Sequence, residues 1–198
     1  TARKLLPALL RDDLSRAVKA EAAFHLTNNS AYLLSLVLAL LIVPAIVIRY
    51  AHGIGWTFLI DLALFGASSG SVLLFYREGQ WWAGRPAPRL RELLAVLPVA
   101  VGMSIRNASA VVEGLFETGG HFRRTPKAGD AGRAVADQAP RIPWAEALLS
   151  LFFAAVVIAF AVSGRWTSLP FLSLFAGGYG YVSVTAIRER LSHSPSVT

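Results

Sequence analysis

Ala31-Tyr32-Leu33-Leu34-Ser35-Leu36-Val37-Leu38-Ala39-Leu40-Leu41-Ile42-Val43-Pro44-Ala45-Ile46-Val47-Ile48 decides the fold class. The run holds no charged residue, and a helix of about 20 such residues matches the hydrocarbon core of a bilayer. A second run, Trp56 to Phe75, is broken only by Asp61 and follows the short link Arg49-Tyr50-Ala51-His52-Gly53-Ile54-Gly55. Two apolar runs joined so tightly predict a pair of antiparallel spans, a helical hairpin. Trp144 to Val162 and Leu169 to Ile187 repeat the pattern around the link Ser163-Gly164-Arg165-Trp166-Thr167-Ser168.

Composition agrees with that reading. The chain is 55% hydrophobic and only 16% charged, with a mean hydropathy of +0.52. The charges cluster between the apolar runs, as they do in integral membrane proteins. The net charge of +7 raises the question of nucleic acid, but the cations flank apolar runs and do not line one polar face, so no nucleic-acid partner is expected. With no Cys, disulfides, thiolate metal sites and Cys nucleophiles are excluded.

Outside the spans, Leu5, Leu6, Leu9, Leu10, Leu14, Ala17 and Val18 recur at helical spacing, with Lys4, Arg11, Arg16 and Lys19 elsewhere on the wheel. That stripe predicts an amphipathic helix over residues 1–26, lying in the membrane interface. Residues 77–118 carry a second stripe through Leu94, Leu97, Val101, Ile105, Ala108, Val112 and Leu115, opposed by Arg106, Asn107, Ser109, Glu113 and Glu117. Its purely apolar part is short, contains Pro98, and continues as a stripe, so it reads as interfacial and not as a span. Gly66-Ala67-Ser68-Ser69-Gly70 and Gly177, Gly178 and Gly180 offer small surfaces for close helix packing. Asp61, just inside its span, is expected to reach interfacial water or a neighbouring donor; a place on a transport path is the alternative.

Four spans put both termini and the centre of the chain on one side. Every Lys and Arg except Arg49 and Arg165 then lies on that side, which the positive-inside rule makes cytosolic. The expectation is an all-α membrane protein: four transmembrane helices in two hairpins (27–76 and 144–187), two amphipathic interfacial helices, a cytosolic loop over 119–143 and a cytosolic tail over 188–198.

The loop opens with Gly119-Gly120-His121-Phe122-Arg123-Arg124-Thr125-Pro126-Lys127, and loops of this length are usually functional or disordered. Arg123, Arg124 and Lys127 suit a diphosphate, Thr125 adds a hydroxyl, and Phe122 can cover a base or sugar ring. Flexible glycines would let such a loop close as a lid. Attraction of the same cations to anionic lipid, about 1 kcal/mol each, explains the composition equally well. No other constellation carries chemistry. His25, His52, His121 and His193 have no metal-ligand spacing, and Asp12-Asp13 reads as solvated charge.

Phe122-Arg123-Arg124-Thr125-Pro126-Lys127 resembles the F-x-V-T-x-K gating loop of cellulose synthase-like, processive family 2 glycosyltransferases, in its F-x-R-T-P-K form. Ser104 to Leu115 looks like the interfacial helix before that loop, and Thr1-Ala2-Arg3-Lys4-Leu5-Leu6-Pro7 and Lys19 to Thr27 look like the start of the family's membrane half, just after its Q-x-x-R-W motif. The order of helices also matches over essentially the whole chain. The resemblance implies the membrane-channel and gating portion of a hexosyltransferase. Such an enzyme moves sugar from a nucleotide-sugar donor to a growing polysaccharide and passes the glycan chain across a bacterial inner membrane. It implies that Phe122, Arg123, Arg124, Thr125 and Lys127 contact the nucleotide-sugar, with Arg106, Asn107 and Glu113 on the supporting helix. Arg124 stands where cellulose synthase has Val.

The D-x-D, T-E-D and Q-x-x-R-W motifs are absent from this chain. The resemblance therefore implies a catalytic domain in the same polypeptide, N-terminal to this stretch, and a divalent Mg or Mn ion held there; no cofactor is expected on this part. The chain itself reads as a piece of a longer polypeptide. Aromatics including Phe24, Tyr32, Phe65, Phe153, Phe175 and Tyr179 are available to stack on sugar rings, with ordinary packing as the plainer reading. The alternative function is a non-catalytic membrane scaffold or small permease with a lipid-binding basic loop.

Overall fold

A computed structural model describes residues 2–116 and 143–192. Among these residues there are eight α-helices, two single 3₁₀ turns and no strand. The cationic loop residues and the tail beyond Ser192 lie outside them.

The first amphipathic stretch forms two helices, α1 (Ala2–Arg11) and α2 (Arg16–Thr27). The sequence stripe runs through the break, but the local chemistry stops it. Ser15 caps α2 by accepting a hydrogen bond from the Val18 amide at 3.4 Å. The Lys19 ammonium donates at 2.9 Å to the Leu10 carbonyl, one of the groups the end of α1 leaves free. The expected single helix over residues 1–26 is thus a corner.

Next come α3 (Ser30–Ala51) and α4 (Phe58–Trp82), then α7 (Trp144–Val162) and α8 (Leu169–Ser192). All four are long and apolar enough to cross a membrane. The links inside both pairs turn on glycines with left-handed backbone, Gly53 at φ 68° and Gly164 at φ 71°, a conformation that ends a helix at no steric cost only for glycine. A 3₁₀ turn then launches the returning helix in each case. Large apolar side chains face outward along these helices; Phe75 is 75% and Leu151 69% exposed. Surfaces of that kind are stable against lipid and not against water. The described residues form an all-α fold built for a membrane.

The two pairs differ in how they pack. α7 and α8 lie along each other, whereas α3 packs mainly on α6 and meets α4 through the Arg49–Asp61 ion pair. The core sits on the α7–α8 side. Phe153 stacks on Phe175 with ring centroids 5.1 Å apart and on Tyr179 at 6.2 Å, and Leu172, Ile46, Phe58 and Phe160 enclose them. Three of the aromatics considered for sugar stacking, Phe153, Phe175 and Tyr179, are therefore core; Phe65 meets Phe171 edge-on at 5.3 Å, and Phe24 is exposed.

The stripe over 77–118 also divides. It forms α5 (Leu90–Gly102) and α6 (Ser104–Phe116), bent by 48° at Met103. Pro98 removes one amide from the α5 ladder, and α5 lies against α8 while α6 turns away to lie against α3. A Cβ on Gly102 would stand 2.1 Å from the Gly178 carbonyl oxygen, and one on Gly178 would stand 2.4 Å from that of Pro98. Only glycine admits this approach. A Cβ on Gly180 would stand 2.9 Å from the Ser150 hydroxyl, a milder approach to a side chain. Among the described residues, Gly66, Gly70 and Gly177 have no atom within reach of a Cβ, so the two glycines of the α4 run are not points of close approach there.

Candidate functional site

The cationic segment leaves the described structure after α6 and rejoins it at α7. α6 is held at both ends. At its start, Ser104 is fully buried and its hydroxyl lies 3.0 Å from the Tyr179 hydroxyl of α8. Next along, Arg106 donates through Nε to Glu146 Oε1 at 3.3 Å. Ala108 is buried. At the far end, the Arg3 guanidinium of α1 donates at 2.7 Å to the Leu115 carbonyl in the last turn of α6.

Glu146 is the anchor of this arrangement. It sits in the first turn of α7, where the helix dipole favours an acid, yet its side chain is only 5% exposed against 49% for Arg106. A carboxylate so enclosed needs a cation or donors, and Arg106 supplies one. The pair joins the helix that enters the cationic segment to the helix that leaves it. One turn further on, the Ser150 hydroxyl donates to the Ala176 carbonyl at 2.9 Å and ties α7 to α8.

Of the supporting residues expected on α6, Arg106 makes this ion pair, Asn107 is half-buried and Glu113 is exposed. Phe122, Arg123, Arg124, Thr125 and Lys127 lie outside the described residues. Sequence reasoning missed Glu146, and it missed the contacts that Ser104, Tyr179 and Arg3 make. For Glu146 a signal existed, since it is the only charge between Trp144 and Val162, and an acid inside an apolar span calls for a named partner. Nothing local marks Arg106 as that partner.

At the opposite ends of the spans, Asp61 meets Arg49 in an ion pair across the α3–α4 link. The Arg49 guanidinium also lies 5.4 Å from the centre of the Phe58 ring. Arg165 covers Tyr50 at 4.9 Å and Phe160 at 5.5 Å. These contacts fasten the two links to each other, and cations over aromatic faces are attracted by the ring quadrupole. Among the described residues, no three His, Asp or Glu side chains converge on a point where a metal could bind.

No family model, no curated protein and no solved structure matches this chain.

Proposed function

We propose that this chain is the channel and gating portion of a processive family 2 glycosyltransferase, with the segment around Phe122 to Lys127 closing over a nucleotide-sugar. The observation that carries the reading is the Arg106–Glu146 pair. It ties the helix before the cationic, glycine-bracketed segment to the helix after it, as the hinges of a lid would need. The order of the helices and the Phe-Arg-Arg-Thr-Pro-Lys motif supply the rest of the support.

In this scheme the residues of the chain bind and position; they do not carry out the transfer. Arg123, Arg124 and Lys127 neutralise the diphosphate, Thr125 adds a hydrogen bond, and closure excludes water from the sugar. A transferase domain bearing the D-x-D and Q-x-x-R-W motifs, with its divalent Mg or Mn ion, performs the chemistry within the same polypeptide. The four long helices form the path for the glycan through a bacterial inner membrane, with both termini cytosolic.

The test is incorporation of labelled nucleotide-sugar into polymer by the full-length protein. Thr125→Ala combined with Lys127→Ala is expected to reduce polymer at least 10-fold, the scale of a lost charge-assisted contact, while membrane insertion is unchanged. Normal polymer yield, or a full-length protein without a transferase domain, would leave the cations as a lipid anchor and sink the lid.

A further inference from the structure

A groove of about 300 Å³ lies between α3 and α4 beside their link, with Phe171 of α8 also in its lining. Its walls along α3 run from Leu38 to Arg49, three turns of helix, or about 16 Å at roughly 1.5 Å per residue. One leaflet of a bilayer has hydrocarbon about 15 Å deep. The lining is apolar until its upper end, where Arg49 and Asp61 stand side by side. Both side chains remain about one-third exposed, 31% and 37%. Arg49 has guanidinium donors beyond the one that meets Asp61.

We infer that this groove seats one acyl chain of a phosphoethanolamine lipid, with the lipid phosphate on Arg49 and its ammonium on Asp61. The length of the α3 wall matches the depth of a single leaflet. Its two charges sum to zero, and they match a zwitterionic headgroup better than an anionic one. A headgroup carrying both signs can share the existing ion pair without stranding either member, whereas phosphatidylglycerol leaves Asp61 facing a like charge. The inference concerns a surface far from the cationic segment and does not depend on the transferase reading.

Native mass spectrometry of the full chain in mixed micelles tests it, with phosphatidylethanolamine, phosphatidylglycerol and diacylglycerol of the same chain length as probes. The first bound lipid is expected to be phosphatidylethanolamine, favoured about threefold over each of the others, the scale of a partly exposed ion pair. Ala45→Phe narrows the groove while keeping both charged residues and is expected to remove that bound lipid. Arg49→Gln is expected to erase the headgroup preference. Arg49→Gln strands Asp61, so a variant that fails to fold is replaced by the double variant Arg49→Gln with Asp61→Asn, for which the same loss of preference is expected. Equal occupancy by all three lipids, or unchanged occupancy in Ala45→Phe, overturns the proposal. So does a switch from dimer to monomer in Ala45→Phe, which would show the groove to be filled by a second copy.

Discussion

Gly102 and Gly178 bring α5 and α8 into backbone contact, and the geometry leaves no room for a methyl group on either. Gly178→Ala is expected to lower the thermal unfolding midpoint in detergent, with a cost of about 1–3 kcal/mol typical of overpacking. Gly66→Ala faces open space and is expected to be neutral or to stabilise by up to about 1 kcal/mol through helix propensity. Equal effects from the two variants would contradict the packing described above. Arg106 acts through its charge. Arg106→Ala leaves Glu146 enclosed without its cation and is expected to cost about 1–3 kcal/mol. Adding Glu146→Gln to that variant should recover part of the loss, because a neutral amide is cheaper to bury than a carboxylate. Thermal melts of the single and double variants check the sign.

Among the elements, α6 is the one whose placement matters most to the proposed lid. Arg3 reaches it from α1 by a single hydrogen bond to the Leu115 carbonyl, so the N-terminal corner braces the point where the cationic segment departs. Arg3→Ala is expected to speed amide exchange in the last turn of α6 while leaving α7 and α8 unchanged; unaltered exchange there would remove the brace. The long apolar helices were legible in the sequence because their length and lack of charge leave few alternatives. The two interfacial stripes were legible as helical but not as broken. Hydrophobic periodicity carries through a corner when the residues on both sides face the same layer, so Ser15 and Met103 passed unnoticed. Close packing was harder still. Gly66 and Gly178 have similar small-residue surroundings in sequence, and only the partner helix decides which of them is used. The Arg106–Glu146 pair spans two elements separated by the cationic segment and could not be read from spacing, whereas Arg49 and Asp61 flank one short link and were within reach.

For the molecule as a whole, everything rests on which side of the membrane each end of the helices occupies. Among the described residues four helices are long and apolar enough to cross, and the bent pair α5–α6 would make a fifth if its two halves acted as one. The 48° bend and the separate seats of α5 on α8 and α6 on α3 favour four. Charge distribution favours the same count, because a fifth span would carry Arg123, Arg124, Lys127, Arg133 and Arg141 to the side opposite the N-terminal cations. The cationic segment can serve a cytosolic nucleotide-sugar only if four is right. A chain without Cys allows this to be measured directly, by introducing Ala128→Cys in the segment and Thr167→Cys in the α7–α8 link, one at a time, and treating sealed cells with a membrane-impermeant maleimide. Thr167→Cys is expected to be labelled in sealed cells and Ala128→Cys only after permeabilisation; labelling of Ala128→Cys from outside would contradict the four-span topology.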